Sequence, residues 1–177
     1  MSAVRTAHTA DLDATTLDAA QRLLVEVFGG EFTDQDWEHA RGGMHALAWE
    51  DTQLVGHASL VQRRLLYEGQ ALRTGYVEGV GVRADLCGRG HGTALLEALE
   101  QVVRGGYDLG ALNSTASAAR FYEGRGWQRW SGPTSVLSPA GVERTPDDDG
   151  SVYVLPVAVV LDATRELTCD WREGDVW

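Results

Sequence analysis

The sequence predicts a mixed α/β fold in which a mostly antiparallel central sheet is flanked by helices. Four early segments carry apolar residues in the patterns of strands, and short turns that join three of them favour an antiparallel meander. Separate segments before and after the meander have apolar residues at helical spacing. Paired glycines end two of these helical segments. At 177 residues, the chain is expected to form one domain, 1–177.

The elements follow in chain order. A strand at 4–9 precedes a helix at 13–28, which Gly29 and Gly30 stop. Thr33, followed by acidic residues, is predicted to cap a second helix. The remaining predictions are strands at 44–49, 54–66 and 71–82 with hairpin turns at 50–52 and 68–70, a helix at 94–103, a strand at 109–112, a helix at 116–123, late strands at 136–137 and 152–161, and between these a long loop at 139–150.

The stretch 75–104 is the centre of the chain. It places a glycine-rich segment, 87–93, between a predicted buried strand and a predicted helix. Gly88, Gly90 and Gly92 have no Cβ to keep a ligand away from the backbone. Because the free N–H groups and the dipole of the following helix point the same way, the segment suits a phosphate or pyrophosphate.

Two common phosphate-binding motifs do not fit. A Walker loop needs a lysine, whereas this chain has only arginine among its basic residues, which also removes a Schiff-base lysine. A dinucleotide-binding motif needs a different glycine order and an acidic residue at the end of the next strand. The strand predicted after the helix supplies no such acid at its end.

The segment resembles the loop that opens the acetyl-CoA site of the GNAT acetyltransferases, [Arg/Gln]-x-x-Gly-x-[Gly/Ala], with Cys87 in place of the first residue. The stretch 115–127 resembles the same family's Asn-x-x-Ala-x-x-[Phe/Leu]-Tyr-x-x-x-Gly-[Phe/Trp], with Thr115 in place of asparagine. The resemblance implies an acyl-CoA core at about 71–130 and a strand splay that admits the pantetheine. The implied cofactor-binding residues are Val80, Val82, Cys87, Gly88, Arg89, Gly90, His91, Gly92, Thr93 and Thr115.

The resemblance also implies catalytic roles. Glycines at 79 and 81 fit a β-bulge, which makes the Val80 N–H a donor to the oxyanion. Tyr122 falls on the family's general acid, and its alternative is a core aromatic. Glu78 is expected to act as base, through a water, because a lone glutamate among glycines and valines is costly to bury. Its alternative is an exposed edge carboxylate.

Composition and charge exclude several partners. A net charge of −11 argues against nucleic acid and anionic membranes, and favours a cationic partner or solubility alone. No span or signal peptide is recognised. Cys87 and Cys169 lack metal spacing, so we expect no metal and a cytoplasmic protein with reduced thiols. The five histidines are expected to be packing or surface residues, and the tryptophans at 37, 49, 127, 130 and 171 core residues.

The runs GGMHAL, QRRLLYEGQALRTGYVEGV, RTPDDDGSVYVLP and CDWREGDVW resemble the aminoglycoside 2′-N-acetyltransferases of mycobacteria. This implies a homodimer that acetylates the 2′-amine of aminoglycosides and confers resistance, with the tail 162–177 docked on the substrate cleft. The open alternatives are another cationic amine, such as a polyamine or cell-envelope precursor, and a non-catalytic acyl-CoA or aminoglycoside binder. The implied substrate-binding residues are Glu31 (in place of aspartate), Asp36, Glu78, Gly79 through its carbonyl, Asn113 (in place of serine), Asp148, Asp175 and the Trp177 carboxylate.

Overall fold

The structure, a computed structural model, describes residues 3–177 and divides them into two units. The first unit contains the chain up to Val61 together with Val77–Val102, and the second contains Gln62–Tyr76 with Val103–Trp177. The strands are β1 Ala3–His8, β2 Met44–Glu50, β3 Gln53–Tyr67, β4 Gln70–Val82, β5 Leu109–Asn113, β6 Gln128–Arg129, β7 Thr134–Ser138, β8 Gly141–Arg144, β9 Val152–Pro156 and β10 Leu167–Asp170. The α-helices are α1 Ala14–Val27, α2 Asp34–His39, α3 His91–Gly106 and α4 Ala119–Glu123.

Both helices at the start of the first unit have a side-chain cap. The Asp13 carboxylate accepts from the Thr16 N–H at 2.7 Å and begins α1. Thr33 and Asp36 form a capping box at the start of α2, as the sequence predicts for Thr33. Beyond α1, Gly29 and Gly30 have φ angles of 61° and 86°, which end the helix in the left-handed region. The helices bury Ala20, Leu23, Leu24, Trp37 and Ala40 in one cluster with Leu47 of β2.

Strands β1, β2 and the first part of β3 form an antiparallel meander in the first unit. Its β2–β3 turn places Asp51 at φ 51°, a conformation that aspartate tolerates in tight turns. A Cβ on Gly56 of β3 would lie 3.0 Å from Leu95 Cδ1 of α3, so glycine is needed where this helix crosses the strand. Leu95, Leu96 and Leu99 of α3 are fully buried there.

The second unit contains a mixed sheet in the order β6-β9-β5-β4-β3-β10-β7-β8. The pairs β4–β5 and β10–β7 are parallel, whereas the other pairs with a defined register are antiparallel. The β4–β5 register runs from Thr74–Leu109 to Tyr76–Ala111, and β4 itself continues to Val82. The mixed, mostly antiparallel α/β class predicted from the sequence is confirmed.

Several predicted elements are wrong in their extent. The stretch 139–150, predicted as a loop, contains β8 and a 3₁₀ turn at Pro146–Asp148, because backbone pairing with β7 does not require an apolar face. The late strand ends at Pro156, and β6 and β10 are additional strands. The helix predicted at 116–123 is a 3₁₀ turn, Ala116–Ala118, followed by α4.

Helix α3 is longer than predicted at both ends. It begins at His91, so Gly92 and Thr93 lie in its first turn rather than in the preceding loop. It also continues through Gly105 and Gly106, which were expected to end it. No helix within residues 3–177 is long and apolar enough to cross a membrane.

The tryptophans divide between core and surface. Trp37, Trp127 and Trp130 are buried as expected, and Trp49 is half-buried. Trp171 was expected in the core but is 48 % exposed, because it follows the last residue of β10 and leaves the sheet. Trp177 is 2 % exposed and its indole N–H donates to Thr145 Oγ1 at 2.9 Å, so the end of the tail packs within the second unit.

Candidate functional site

The loop before α3 keeps open space beside its backbone. Gly88 and Gly90 have φ angles of 79° and 90°, where a side chain would be strained. Apart from the adjoining residues, no heavy atom within the described part of the chain comes within 4 Å of a Cβ built on either glycine. The loop therefore has the conformation and the free space that a diphosphate needs to approach the main chain.

The first turn of α3 supplies the donors. The Gly90 carbonyl accepts from Ala94 N–H at 3.0 Å, so the helical hydrogen bonds begin at this carbonyl. The N–H groups before Ala94 point out of the helix start without helical acceptors, and the helix is 16 residues long. The Cys87 thiol turns back on its own chain, 3.8 Å from the Val82 oxygen and 3.6 Å from that of Arg83. The side chain at position 87 thus adds no positive charge to the loop, whereas Arg89 is exposed beside it.

His91 ties the start of α3 to the meander. Its side chain is 3 % exposed, and Nε2 lies 3.1 Å from Glu50 Oε1 at the end of β2. It is a buried packing residue, as the sequence predicts. His91 therefore contributes to the loop by fixing the helix start within the first unit.

Strand β4 is irregular at the position where a bulge is predicted. Gly79 has φ 53°, and a Cβ there would lie 3.1 Å from Leu24 Cδ1 and 3.5 Å from His57 Cε1. Glu78, Val80 and Val82 are half-buried. Glu78 is therefore neither a fully exposed edge carboxylate nor a core residue, and the strand around it departs from regular β geometry.

A chain of hydrogen bonds through two buried histidines leads to the Gly79 carbonyl. His57 Nδ1 lies 2.8 Å from Gly79 O, and His57 Nε2 lies 2.9 Å from His45 Nδ1. His45 Nε2 lies 2.8 Å from Thr9 Oγ1, which accepts from Gly42 N–H at 2.9 Å. Both histidine side chains are fully buried. Burial lowers the pKa of His57 to about 3 and that of His45 to about 4, so both rings are neutral near pH 7.

Tyr122 lies in an aromatic cluster of the second unit. Its ring centroid is 5.2 Å from that of Phe121 and 6.2 Å from those of Trp127 and Tyr153. The side chain is 7 % exposed, and burial raises its pKa to about 12. The hydroxyl is therefore protonated throughout the physiological pH range, which is the state a general acid must have.

Thr115 precedes the 3₁₀ turn that leads into α4. Its Oγ1 lies 2.9 Å from Ser117 Oγ, and the side chain is exposed. A hydroxyl at this position reaches less far than the asparagine amide of the resembled motif.

Four residues predicted to bind substrate come together in the second unit. Asn113 Nδ2 donates to Asp148 Oδ1 at 2.9 Å, and Trp177 N–H donates to Asp175 Oδ1 at 3.2 Å. Burial raises the pKa of Asp148 and the nearby Asp175 charge raises it further, while the Asn113 hydrogen bond lowers it. Asp148 and Asp175 are thus close enough to repel each other, which is the condition that a cation relieves.

The three consecutive aspartates have different roles. Asp149 Oδ1 accepts from the N–H and hydroxyl of Thr134 at 2.8 and 2.9 Å, and Oδ2 accepts from Arg144 at 2.7 Å. The Thr134 N–H holds the pKa of Asp149 below its usual value. Asp147 is exposed. Of the three, only Asp148 contacts another predicted substrate residue, Asn113. The sequence could not decide which of the three aspartates has this position.

The tail is held by Arg172. Its Nε donates to the backbone oxygen of Asp175 at 2.7 Å, and its Nη2 donates to the backbone oxygen of Trp177 at 2.9 Å. Its guanidinium carbon also lies 5.5 Å from the centre of the Tyr76 ring. Arg172 fixes the positions of two predicted substrate residues, and sequence reasoning did not assign it a role.

In the first unit, Glu31 and Asp36 flank the start of α2. Glu31 is exposed, and Asp36 is half-buried. Asp36 Oδ2 accepts from the Thr33 N–H and hydroxyl, both at 2.8 Å. One oxygen of this carboxylate is thus used by the helix cap.

The histidine chain was missed because each histidine was considered alone. His45 and His57 lie on two strands joined by a predicted turn, and in the observed register His45 pairs with Ser59, two residues from His57. Side chains diagonal to each other on paired strands share a face. The hairpin prediction therefore carried the signal for their contact. Within residues 3–177, no group of three or more His, Cys, Asp or Glu side chains is arranged to hold a metal.

Asp148→Asn is expected to stabilise the free protein. A carboxyl whose folded pKa is raised binds more protons in the folded than in the unfolded state, so its ionisation destabilises the fold as pH rises. Because Asp148 is half-exposed, the gain at pH 7 should be below about 1 kcal/mol, or roughly 2 °C in Tm. Thermal unfolding at pH 7 and pH 4 measures it, and the gain should shrink at pH 4. Asp147→Asn is the matched control, and an equal gain there would contradict the assignment.

The comparisons with known proteins agree with this geometry. The family profile of the Acetyltransferase (GNAT) domain matches residues 8–130, and the chain belongs to this family. The sequence is 55 % identical over 177 residues to an aminoglycoside 2′-N-acetyltransferase of Mycolicibacterium fortuitum, covering 98 % of this chain and 91 % of that protein.

Two solved structures share the fold. The GNAT family N-acetyltransferase YhbS of Escherichia coli, solved in complex with CoA, is similar with a TM-score of 0.66 and 15 % identity, over 95 % of this chain and 89 % of that one. Escherichia coli ElaA is similar with a TM-score of 0.62 and 20 % identity, over 88 % of this chain and 99 % of that one. The predicted fold family is confirmed.

Proposed function

We propose that the chain transfers an acetyl group from acetyl-CoA to the 2′-amino group of aminoglycosides by direct attack in a ternary complex, and so confers resistance. The observation that supports this best is the grouping of Asn113, Asp148, Asp175 and Trp177 in the second unit. Two carboxylates whose repulsion raises a pKa bind a polycation favourably, because its charge relieves that repulsion. The relative of Mycolicibacterium fortuitum bears the name of this activity.

Acetyl-CoA fits the loop before α3. The open space at Gly88 and Gly90 and the N–H groups of the first turn suit its diphosphate. We assign this role to the main chain of 88–93, with Arg89 adding charge and Thr115 a hydroxyl. Val82 is assigned the pantetheine. The thioester supplies an activated acetyl group, and no metal is assigned.

The chain's own residues supply proton transfer and polarisation. Glu78 is proposed to take a proton from the attacking amine through a water, which its half-buried position allows. The Val80 N–H is proposed to donate to the thioester carbonyl oxygen, and the irregular geometry at the adjacent Gly79 supports this. Tyr122 is proposed to give its hydroxyl proton to the departing sulfur.

The family resemblance supports contacts between the acceptor and the carboxylates of Glu31, Asp36, Glu78, Asp148 and Asp175. Glu31 and Asp36 are expected to contribute less to binding of the acceptor than Asp148. Glu31 is exposed, and the Asp36 carboxylate is partly used by the cap of α2. Gly79 is assigned a contact through its carbonyl. From the resemblance, the protein is also proposed to be a homodimer located in the cytoplasm. Size-exclusion chromatography tests the dimer.

A substrate panel tests the proposal. Tobramycin and kanamycin B, which carry a 2′-amine, should release CoA thiol in the presence of acetyl-CoA, whereas kanamycin A and amikacin, which carry a 2′-hydroxyl, should give at least roughly 100-fold lower kcat/KM. The wild-type enzyme, a thiol reagent and mass spectrometry of the product are sufficient. Equal turnover of both sets would overturn 2′ specificity. Turnover of spermidine without any aminoglycoside turnover would favour the alternative of another cationic amine.

A further inference from the structure

The hydrogen-bond chain from Thr9 to Gly79 fixes the tautomers of both imidazoles when both rings are neutral. The Gly79 oxygen can only accept, so His57 must donate from Nδ1. His57 Nε2 then carries a lone pair, and it accepts from the Nδ1–H of His45. His45 Nε2 in turn accepts from the Thr9 hydroxyl at 2.8 Å, which is closer than the other acceptor of that hydroxyl, the Gly43 oxygen at 3.3 Å. All the donors point from Gly42 toward Gly79, and each ring is the Nδ1–H tautomer.

The hydrogen-bond chain ends on a backbone carbonyl at the irregular position of β4. Gly79 is in the left-handed region, and the neighbouring Glu78 oxygen also accepts from β3, through Ser59 Oγ at 3.3 Å. His57 and Ser59 alternate along β3 and so point to the same face. Two consecutive carbonyls of β4 are thus held by side chains of the neighbouring strand. Trp37 covers the histidine pair, with ring centroids 6.1 Å from His45 and 5.8 Å from His57.

Packing alone does not account for this arrangement. Two fully buried imidazoles lose their hydration, and apolar side chains of similar volume would fill the same space without that cost. What an apolar side chain cannot do is donate to Gly79 O. That donation uses one lone pair of the carbonyl, fixes the plane of the peptide and leaves the second lone pair for another donor. A neutral imidazole can donate to Gly79 O without bringing a positive charge next to the proposed site for a cation. An arginine or lysine in its place would bring such a charge.

We propose that His57 is a positioning residue for the acceptor substrate: held in its Nδ1–H tautomer by His45 and Thr9, it aims the second lone pair of the Gly79 carbonyl at an ammonium group of the acceptor. This inference deepens the proposed function and rests on it. His57 touches neither the cosubstrate nor the reacting atoms in this assignment. Its effect therefore belongs to binding of the acceptor and not to the chemical step.

Two variants of matched size separate donation from packing. In His57→Asn, the side-chain amide can present an N–H from nearly the same place as imidazole Nδ1, whereas His57→Leu fills similar volume without a donor. We expect His57→Leu to raise the KM for tobramycin about 5- to 10-fold, with kcat and the KM for acetyl-CoA within about twofold. His57→Asn should stay within about threefold of wild type in all three. Equal KM values for the two variants, or parallel losses in KM, kcat and Tm, would overturn the proposal.

A second measurement does not depend on activity. In nitrogen-15 spectra of the wild-type imidazoles at pH 7.5, assigned with His45→Asn and His57→Asn, both rings should carry the proton on Nδ1 and leave Nε2 bare. An Nε2–H tautomer at either ring would overturn the proposal. If the wild type acetylates no aminoglycoside, the proposed function fails and the inference about substrate fails with it. Turnover by the wild type with no difference between Leu and Asn at position 57 makes the inference alone wrong.

Discussion

Tyr122→Phe is expected to lower kcat roughly 100-fold while leaving the fold intact. General acid catalysis contributes about 10²–10⁴ to a rate, and the phenylalanine lacks the proton that the departing sulfur would take. The ring itself remains in the cluster with Phe121, Trp127 and Tyr153, so little packing is lost. Steady-state kinetics with tobramycin, beside thermal unfolding of both proteins, measure the two effects separately.

The pH profile gives this prediction a second readout. Because burial raises the pKa of Tyr122 to about 12, its ionisation should not produce an alkaline fall in kcat below about pH 10. Phe121→Leu, which changes the same cluster but no hydroxyl, is the matched control and should affect stability more than kcat. If Tyr122→Phe retained nearly full turnover, the alternative of a core aromatic would hold and the acid would have to be sought elsewhere.

The local signals in this sequence were predicted well where short-range chemistry decides them. Thr33 begins α2 because a hydroxyl and an acid three residues later satisfy the free N–H groups, and this depends on four consecutive residues only. The glycines at 88 and 90 adopt positive φ for a reason equally visible in the chain. In contrast, β10 depends on partners far along the chain, β3 and β7, and β8 pairs with the adjacent β7 without a strong pattern of its own.

The candidate site shows the same division. Motif spacing predicts a cofactor role for the loop before α3 and an acid role for Tyr122, but it could not decide among Asp147, Asp148 and Asp149. That choice depends on Asn113 and Thr134, which approach from 35 and 15 residues away. Arg172 was missed because an arginine in an acidic tail looks like a solvated charge. Its role depends on contacts with Asp175 and Trp177 that only the folded tail makes.

The buried histidine pair, His45 and His57, and the carboxylate pair, Asp148 and Asp175, both reduce the stability of the free protein. Desolvation and the Asp175 charge raise the pKa of Asp148, and desolvation lowers those of His45 and His57. Sites that bind ligands commonly keep groups whose burial is not optimal for stability. The two costs have opposite pH dependence, because an acid with a raised pKa destabilises as pH rises and a histidine with a lowered pKa destabilises as pH falls.

Acid is therefore expected to destabilise the protein well above the usual range of carboxylate titration. The unfolded histidines protonate near pH 6.5, whereas burial lowers the folded pKa of His45 to about 4 and that of His57 to about 3. Between these values the unfolded state binds more protons, so stability is full above about pH 6.5 and is lost as pH falls. From pH 7 to pH 5, each histidine should remove about 2 kcal/mol, or about 4 kcal/mol together.

Urea unfolding at pH 7, 6 and 5 measures this loss, which is large beside the typical total stability of 5–15 kcal/mol. The carboxylates with lowered pKa, among them Asp13 and Asp149, act mainly below this window, so they do not obscure it. The double variant His45→Asn with His57→Asn keeps neutral polar groups in place. Its free energy of unfolding should therefore fall much less between pH 7 and pH 5 than that of the wild type, by most of the about 4 kcal/mol assigned to the two histidines. Equal stability of the wild type at pH 7 and pH 5 would mean that the pair accepts a proton in the fold, and the one-way chain to Gly79 would then lose its physical basis. A steep loss that disappears in the double variant would instead mean that the fold depends on neutral imidazoles, the same condition that aims the Gly79 carbonyl.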